Sequence, residues 1–163
     1  MPKIATADRV DHDQLIDFVR PRHRVTLVTT RSDGRPQLSP VTAGVDDSGR
    51  IVISTYPGRA KTVNSRRDPR VSILVHSAEW DGPYVQVDGS AEVLDMPDRE
   101  AEDALVEYFR CISGEHPDWA EYRAAMQRQG KSLILVTPRR WGPVATGGFP
   151  VRAVPAPRAP RHQ

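Results

Sequence analysis

The sequence contains few of the residues that build disulfide scaffolds, metal sites or membrane spans. Cys111 is the only cysteine among 163 residues, so no intrachain disulfide can form and a secreted disulfide scaffold is excluded. The five histidines show no metal-ligand spacing such as HxxxH, which argues against a zinc site. No stretch approaches the roughly 18 apolar residues of a membrane span, and no apolar run typical of a signal peptide opens the chain. We therefore predict a soluble, cytoplasmic protein that does not associate with membranes.

Aromatic residues are also scarce, and the charge is nearly balanced. Only 6% of the residues are aromatic and 38% are hydrophobic, and a single domain with so lean a core often completes it by pairing with a second copy. Three of the 23 Lys and Arg lie in VRAVPAPRAPRHQ at the end of the chain; without them, 20 cations face 21 anions. A neutral body argues against a nucleic-acid-binding module. We predict one domain over residues 1–150 and a disordered Pro/Ala/Arg tail over 151–163.

The order of strand and helix patterns predicts an α+β barrel. A short helix in DHDQLIDFV precedes strand-like segments at 23–30, 37–45, 51–56, 71–77 and 84–94, with a turn at Asp33-Gly34 and a bulge at Gly89. Helices follow from about Pro97 and Pro117, and KSLILVT is the last strand. About six antiparallel strands joined by tight turns, with helices inserted late, do not alternate as βαβ, and no GxGxxG follows a strand. A dinucleotide-binding Rossmann fold is thereby excluded.

The segment STYPGRAKTVNSRRDPR concentrates positive charge where a strand stops and a helix begins. Five cations face one anion, Asp68, in an otherwise neutral body. The first turn of a helix has unpaired N–H groups and partial positive charge, so Arg59, Lys61 and the Thr62 hydroxyl beside it form a candidate phosphate site. From the charges alone, a solvated basic surface helix is an equally good interpretation.

A resemblance favours the phosphate site. GRPQLSPV, a strand ending in ST, and RAKTVNSRRDPRVS together resemble the pyridoxamine-phosphate-oxidase-like split β-barrels, and GEHPDWAEYRAAM resembles a helix of their actinobacterial coenzyme F420-dependent branch. The resemblance spans about Val25 to Trp141, and the spacing of RAKT to NxxRDPR is its most specific part. It implies a homodimer with two cofactor sites in the subunit interface.

The resemblance also assigns site residues. In that family the Arg and Lys of RAKT bind the cofactor phosphate, which implies the same role for Arg59 and Lys61, completed by Ala60 and Thr62. Ser54 and Thr55 are expected to line the ring system. Its other edge is expected to face the strand Gln37, Leu38, Ser39, Pro40 and Val41, which we predict to be irregular at Pro40. Trp80 and Tyr84 resemble residues that the partner subunit places over the cofactor, although ordinary interface packing explains them equally well.

The implied function is an F420-dependent reductase that transfers hydride from the reduced deazaflavin to an electron-poor small molecule. Arg66, Arg67 and Arg70 could meet the anionic tail of F420, whereas the shorter FMN would need only the phosphate cradle. An FMN-dependent oxidoreductase and a non-catalytic deazaflavin carrier therefore stay open as alternatives. We identify no catalytic side chain: the aromatic residues near Trp119 are expected to be core, and Cys111 a small buried hydrophobe. The last strand lacks the Arg-x-His motif of pyridoxamine phosphate oxidases proper, which argues against that substrate.

Overall fold

The computed structural model describes residues 4–147 of the chain, so the tail predicted at 151–163 lies outside the described residues. The helices are α1 (His12–Val19), α2 (Ala60–Arg67), α3 (Arg99–Ser113) and α4 (Trp119–Gln129). The strands are β1 (Ala7–Asp8), β2 (Arg24–Thr30), β3 (Pro36–Val45), β4 (Ile51–Thr55), β5 (Arg70–Val75), β6 (Val85–Asp95), β7 (Ser132–Trp141) and β8 (Val144–Ala145). No helix in this part of the chain is both long and apolar enough to cross a lipid bilayer.

Six strands close into an antiparallel barrel in the order β2-β3-β4-β7-β6-β5, with β5 returning to β2. Strand β7 closes it by pairing with β4 on one side and with β6 on the other. The short strands β1 and β8 pair outside the barrel. The predicted α+β split barrel is therefore confirmed for the single chain.

Two apolar cores hold the barrel and its helices together. Inward residues of the strands, such as Ile53 and Ile134, form one core together with the buried residues of α1. On the outside, Leu133 and Leu135 pack against Leu105 in the hairpin of α3 and α4. Consecutive residues of a strand point to opposite faces, which is why the run Leu133–Val136 is buried throughout. Burial of one such Leu, Ile or Val side chain stabilises the fold by about 1.5–3 kcal/mol relative to exposure of that side chain to water.

Glycines perform two different tasks in the strands and turns. Gly34 adopts φ +84° in the β2–β3 turn, a conformation that disfavours residues with a Cβ. Gly89 marks the predicted bulge, because the register of β6 against β7 shifts between Asp88 and Gly89. A Cβ on Gly89 would lie 2.5 Å from Val136 Cγ1 and 2.7 Å from the Thr137 carbonyl oxygen. Close approach of β7, not an unusual φ, therefore requires glycine at this bulge.

The first part of β3, residues 36–42, has a neighbour on one side only and forms a free edge within the described structure. It pairs with β2 in unbroken register, whereas β4 joins β3 only from Ala43 onward. The Ala43 N–H donates to His23 O, so these two residues form a hydrogen-bonded pair. Hydrogen-bonded and non-hydrogen-bonded pairs alternate along an antiparallel ladder, so Pro40 and Thr26, three pairs further along, form a non-hydrogen-bonded pair. Pro40 thus turns its nitrogen to the free edge, and the strand is regular there, which corrects the predicted irregularity.

Helix α3 packs closely against β3 at the position of the single cysteine. A Cβ on Gly44 would lie 3.1 Å from Cys111 Cβ. Cys111 is exposed and not buried as expected, although its thiol donates to Val45 O at 3.0 Å. Partial desolvation and the nearby Glu107 carboxylate raise the pKa of this thiol, which disfavours the reactive thiolate.

Candidate anion-binding cleft

An open cleft of about 470 Å³ lies between the free edge of β3, the end of β4, the start of α2 and the helices α3 and α4. Its volume lies in the range of small-molecule sites. Its lining comprises Pro40, Val41, Thr42, Ser54, Thr55, Tyr56, Arg59, Lys61, Tyr108, Tyr122, Met126, Gln129 and Lys131. The structure thus brings together six of the thirteen predicted cofactor residues: Pro40, Val41, Ser54, Thr55, Arg59 and Lys61.

The start of α2 borders this cleft through Arg59 and Lys61 and has backbone donors without partners. Its N-cap is Arg59, whose side chain has no hydrogen-bond acceptor and makes no capping bond. The first amides to find acceptors are those of Thr62 and Val63, which donate to Arg59 O. Within residues 4–147, the N–H groups of Ala60 and Lys61 have no partner. Two open amides at the positive end of a helix form a site suited to an anion.

Three cations line the cleft, and of the described residues no Asp or Glu lines it. None of Arg59, Lys61 and Lys131 forms an ion pair within residues 4–147, whereas many other basic side chains of the molecule do. Partial burial, and then repulsion by Arg59, lower the pKa of Lys61 from its usual 10.5. A bound anion would relieve both effects, since it offsets the lost hydration and compensates the repulsion between the cations.

The Thr62 side chain serves the turn and not the cleft. It is fully buried, and its hydroxyl donates to Tyr56 O at 2.8 Å. The Thr55 and Thr62 hydroxyls lie 3.1 Å apart. The hydroxyl therefore ties the end of β4 to the start of α2 and is not available to a ligand, which corrects its predicted place in the cradle.

Five predicted residues lie elsewhere. Gln37, Leu38 and Ser39 precede Pro40 on the free edge of β3 but do not line the cleft. Trp80 and Tyr84 line a separate groove of about 490 Å³ together with Arg24 and His76. Within one chain, these two aromatic residues are not part of the cleft, and their contribution across a subunit interface stays a prediction.

The other three cations of the segment STYPGRAKTVNSRRDPR contact other residues of the protein. Arg66 pairs with Asp95 at 2.6 Å, and Arg70 pairs with Asp68 at 2.8 Å. Arg67 donates to Thr30 O at 2.6 Å. None of these three arginines lines the cleft, so the expectation that they meet an anionic tail finds no support in this geometry.

Sequence reasoning missed part of the lining. Lys131 places its ammonium 4.0 Å from the centre of the Tyr56 ring. The Tyr108 hydroxyl donates to Thr42 O at 3.0 Å, which satisfies a carbonyl on the free strand edge. Tyr122 belongs to the core as expected, yet it also lines the cleft. Lys131 directly follows Gly130, the C-cap of α4, and that local position does not indicate a ligand contact.

A closed six-stranded barrel with a cation-lined cleft beside a free strand edge has the architecture of the split β-barrel proteins. Residues 12–145 match the pyridoxamine 5'-phosphate oxidase family, and the chain belongs to that family.

Solved structures agree with this assignment. A conserved hypothetical protein from Mycobacterium tuberculosis is 28% identical, with a TM-score of 0.67 over 83% of this chain and 88% of that chain. An F420 reductase is 21% identical, with a TM-score of 0.56 over 77% of this chain and 94% of that chain. A heme-binding protein from Mycobacterium smegmatis is 23% identical, with a TM-score of 0.61 over 86% of this chain and 56% of that chain. The last two likenesses establish the fold alone.

Proposed function

We propose that this protein is a homodimeric reductase that binds coenzyme F420 in the cleft and reduces an electron-poor small molecule. The observation that carries the proposal is the cluster of Arg59, Lys61 and Lys131, which form no ion pair within residues 4–147, next to two amides at the start of α2 that have no partner there. Of the described residues, no Asp or Glu lines the cleft. A phosphate-bearing cofactor fits this donor set, because phosphate oxygens accept charge-assisted hydrogen bonds from all of these groups.

The residues of the cleft have separate tasks in this proposal. Arg59, Lys61 and the Ala60 amide hold the phosphate, and Lys131 adds charge from its place beside Tyr56. The strand end at Ser54 and the β3 edge border the ring system. When bound, the reduced deazaflavin supplies a hydride to an electron-poor double bond. The protein then contributes binding and orientation, and this proposal assigns no side chain of the cleft as a nucleophile.

Two observations bear on the cofactor. The sequence resemblance to the F420-dependent branch supports F420. The pairing of Arg66 and Arg70 with acids favours FMN, whose phosphate needs no further row of cations. A heme group is not proposed, because no described His or Cys lines the cleft. A deazaflavin carrier without turnover would use the same phosphate contacts, so only an activity assay separates it from a reductase.

The dimer is proposed from the resemblance and from exposed aromatic residues. Trp80 is 98% exposed and Tyr84 is 42% exposed in the single chain. Because the two aromatic residues line one groove, we take that groove as the candidate interaction surface. We place them over the cofactor bound to the other subunit. Sedimentation should then give twice the mass of the chain. The cytoplasmic location stays a prediction from the sequence.

The deciding experiment is titration of the purified protein with F420 and, separately, with FMN, followed by fluorescence. Arg59→Ala and Lys61→Ala should each weaken binding about tenfold to a hundredfold, the cost of one charge-assisted contact. Tight F420 binding that both substitutions weaken supports the reductase, and turnover of quinones, enones or bilins then separates it from the carrier. Preference for FMN supports the flavin alternative. Failure to bind either ligand refutes the proposal.

A further inference from the structure

A chain of hydrogen bonds joins α2 to the free edge of β3. Arg67 donates to Asn64 Oδ1 at 2.8 Å, and Asn64 Nδ2 donates to Thr29 Oγ1 at 3.1 Å. Thr29 Oγ1 donates to Gln37 Oε1 at 2.9 Å, and Gln37 Nε2 donates to Ser39 Oγ at 2.7 Å. Thr29 and Asn64 are buried, so water does not compete at the middle of the chain. We call Arg67, Asn64, Thr29 and Gln37 the amide relay.

The direction of the relay is fixed at both ends. The Arg67 guanidinium has donors and no acceptor, so Asn64 must turn its oxygen to Arg67 and its NH₂ to Thr29. At the other end, Gln37 Nε2 also donates to Leu38 O at 3.2 Å. A carbonyl only accepts, so Gln37 must turn its oxygen to Thr29. The Thr29 hydroxyl has one proton, which it gives to Gln37 while it accepts from Asn64. Reversing Asn64 would set donor against donor at Arg67, and reversing Gln37 would set acceptor against acceptor at Leu38 O.

The relay determines what the Ser39 hydroxyl can do. Its oxygen already accepts from Gln37, and within residues 4–147 its proton has no acceptor. Ser39 is half-buried and directly precedes Pro40 and Val41, both of which line the cleft. The Ser39 O–H is therefore a donor on the strand edge that borders the proposed ring site.

We propose that the amide relay makes Ser39 a hydrogen-bond donor to the bound ring, so that this edge selects a ligand with an acceptor there. The acceptor is a carbonyl oxygen or a deprotonated ring nitrogen, and a ring that presents N–H at this position is disfavoured. The inference rests on the proposed function, because it assumes that a planar cofactor lies along β3. Gln37 acts through Ser39 and is a positioning residue.

The test is a double-mutant cycle on affinity for two ligands without phosphate, riboflavin and the deazaflavin riboside. These ligands make the result independent of the cations that hold the phosphate. Ser39→Ala should weaken binding about threefold to tenfold in the wild-type protein, the cost of one neutral hydrogen bond. Gln37→Glu replaces the NH₂ by an acceptor, which captures the Ser39 proton. In that background Ser39→Ala should therefore cost less than about twofold.

Matched variants separate reversal of the relay from simple loss of the Gln37 amide. Gln37→Met removes the amide at similar size and leaves Ser39 free to rotate, so Ser39→Ala should keep its threefold to tenfold cost there. Ser39→Thr retains the hydroxyl and should keep most of the affinity, a second test if Gln37→Glu does not fold. Thermal melting of each variant verifies the fold.

The outcomes distinguish the relay from the cofactor proposal. Equal costs of Ser39→Ala in the wild-type and Gln37→Glu proteins overturn the relay and leave the proposed function standing. No effect of Ser39→Ala in the wild-type protein overturns it as well. If the wild-type protein binds neither these ligands nor F420 and FMN, the proposed function fails and the relay inference fails with it.

Discussion

Replacing Lys61 with methionine should stabilise the ligand-free protein while weakening cofactor binding. Partial burial and the neighbouring Arg59 hold the pKa of Lys61 below 10.5, so its charge is unfavourable in the folded state. Between the lowered pKa and 10.5 the unfolded chain binds more protons, and this group makes stability rise with pH. Below that window Lys61 is charged in both states, and its full penalty opposes folding. Methionine keeps the stem and removes the penalty.

The two effects differ in size. Lys61 is half-buried, and water screens its charge, so the gain in the free energy of unfolding should stay within about 1 kcal/mol. For a chain of this length that corresponds to a rise in Tm of up to about 2–4 °C. Loss of the ammonium–phosphate contact should cost about 1.5–3 kcal/mol, which weakens FMN or F420 binding roughly tenfold to 150-fold.

Urea unfolding at pH 7, together with fluorescence titration from pH 7 to 10, measures both effects. Wild-type affinity should fall with rising pH as Lys61 loses its proton, whereas Lys61→Arg should stay charged and flatten that decline. Arg70→Met removes one positive charge outside the cleft and should change affinity less than about twofold. Unchanged binding by Lys61→Met, or a lower Tm of its ligand-free form, would refute the reasoning.

Two further predictions concern the frame of the cleft. Gly89→Ala should destabilise the protein by about 1–3 kcal/mol, because its Cβ meets the Thr137 carbonyl, whereas Gly58→Ala, with open space around it, should be nearly neutral in urea unfolding. Equal midpoints for these two variants would contradict the close approach of β7. Tyr108→Phe should cost about 0.5–1.5 kcal/mol, because Thr42 O loses its donor; identical urea curves for mutant and wild type would show that water replaces this bond.

Local signals were sufficient to find the six barrel strands, although not the full length of β7 or the short strands β1 and β8. Asp33-Gly34 and Gly89 predicted a hairpin and a bulge because each has a steric requirement that short-range sequence reveals. The end of β7 was predicted too early, at Thr137, because the polar residues up to Trp141 pair with β6 beyond the bulge. This segment is a strand because it pairs with β6, which is distant in sequence, and local sequence therefore does not reveal it.

The same distinction applies to the cleft. Arg59 and Lys61 were predictable because a cluster of charges at a strand-to-helix turn is a local pattern. Lys131 was not, since its place depends on the pairing of β4 with β7, which sets Ser132 opposite Thr55 and so brings Lys131 beside Tyr56. The hydrogen bond from the Thr62 hydroxyl to Tyr56 O could not be predicted either, because the sequence does not show which oxygen accepts this proton.

The strand order has a consequence for synthesis of the chain on the ribosome. Strands β4 and β6 each pair with β7, so each lacks a partner until β7 is synthesised. Residues 132–141 of β7 are made after more than three quarters of the chain. Until β7 emerges, the nascent barrel has two open edges, and the apolar residues that will pack against Leu133 and Leu135 stay uncovered. The growing polypeptide is therefore most exposed to aggregation, and to capture by chaperones, just before its last barrel strand appears.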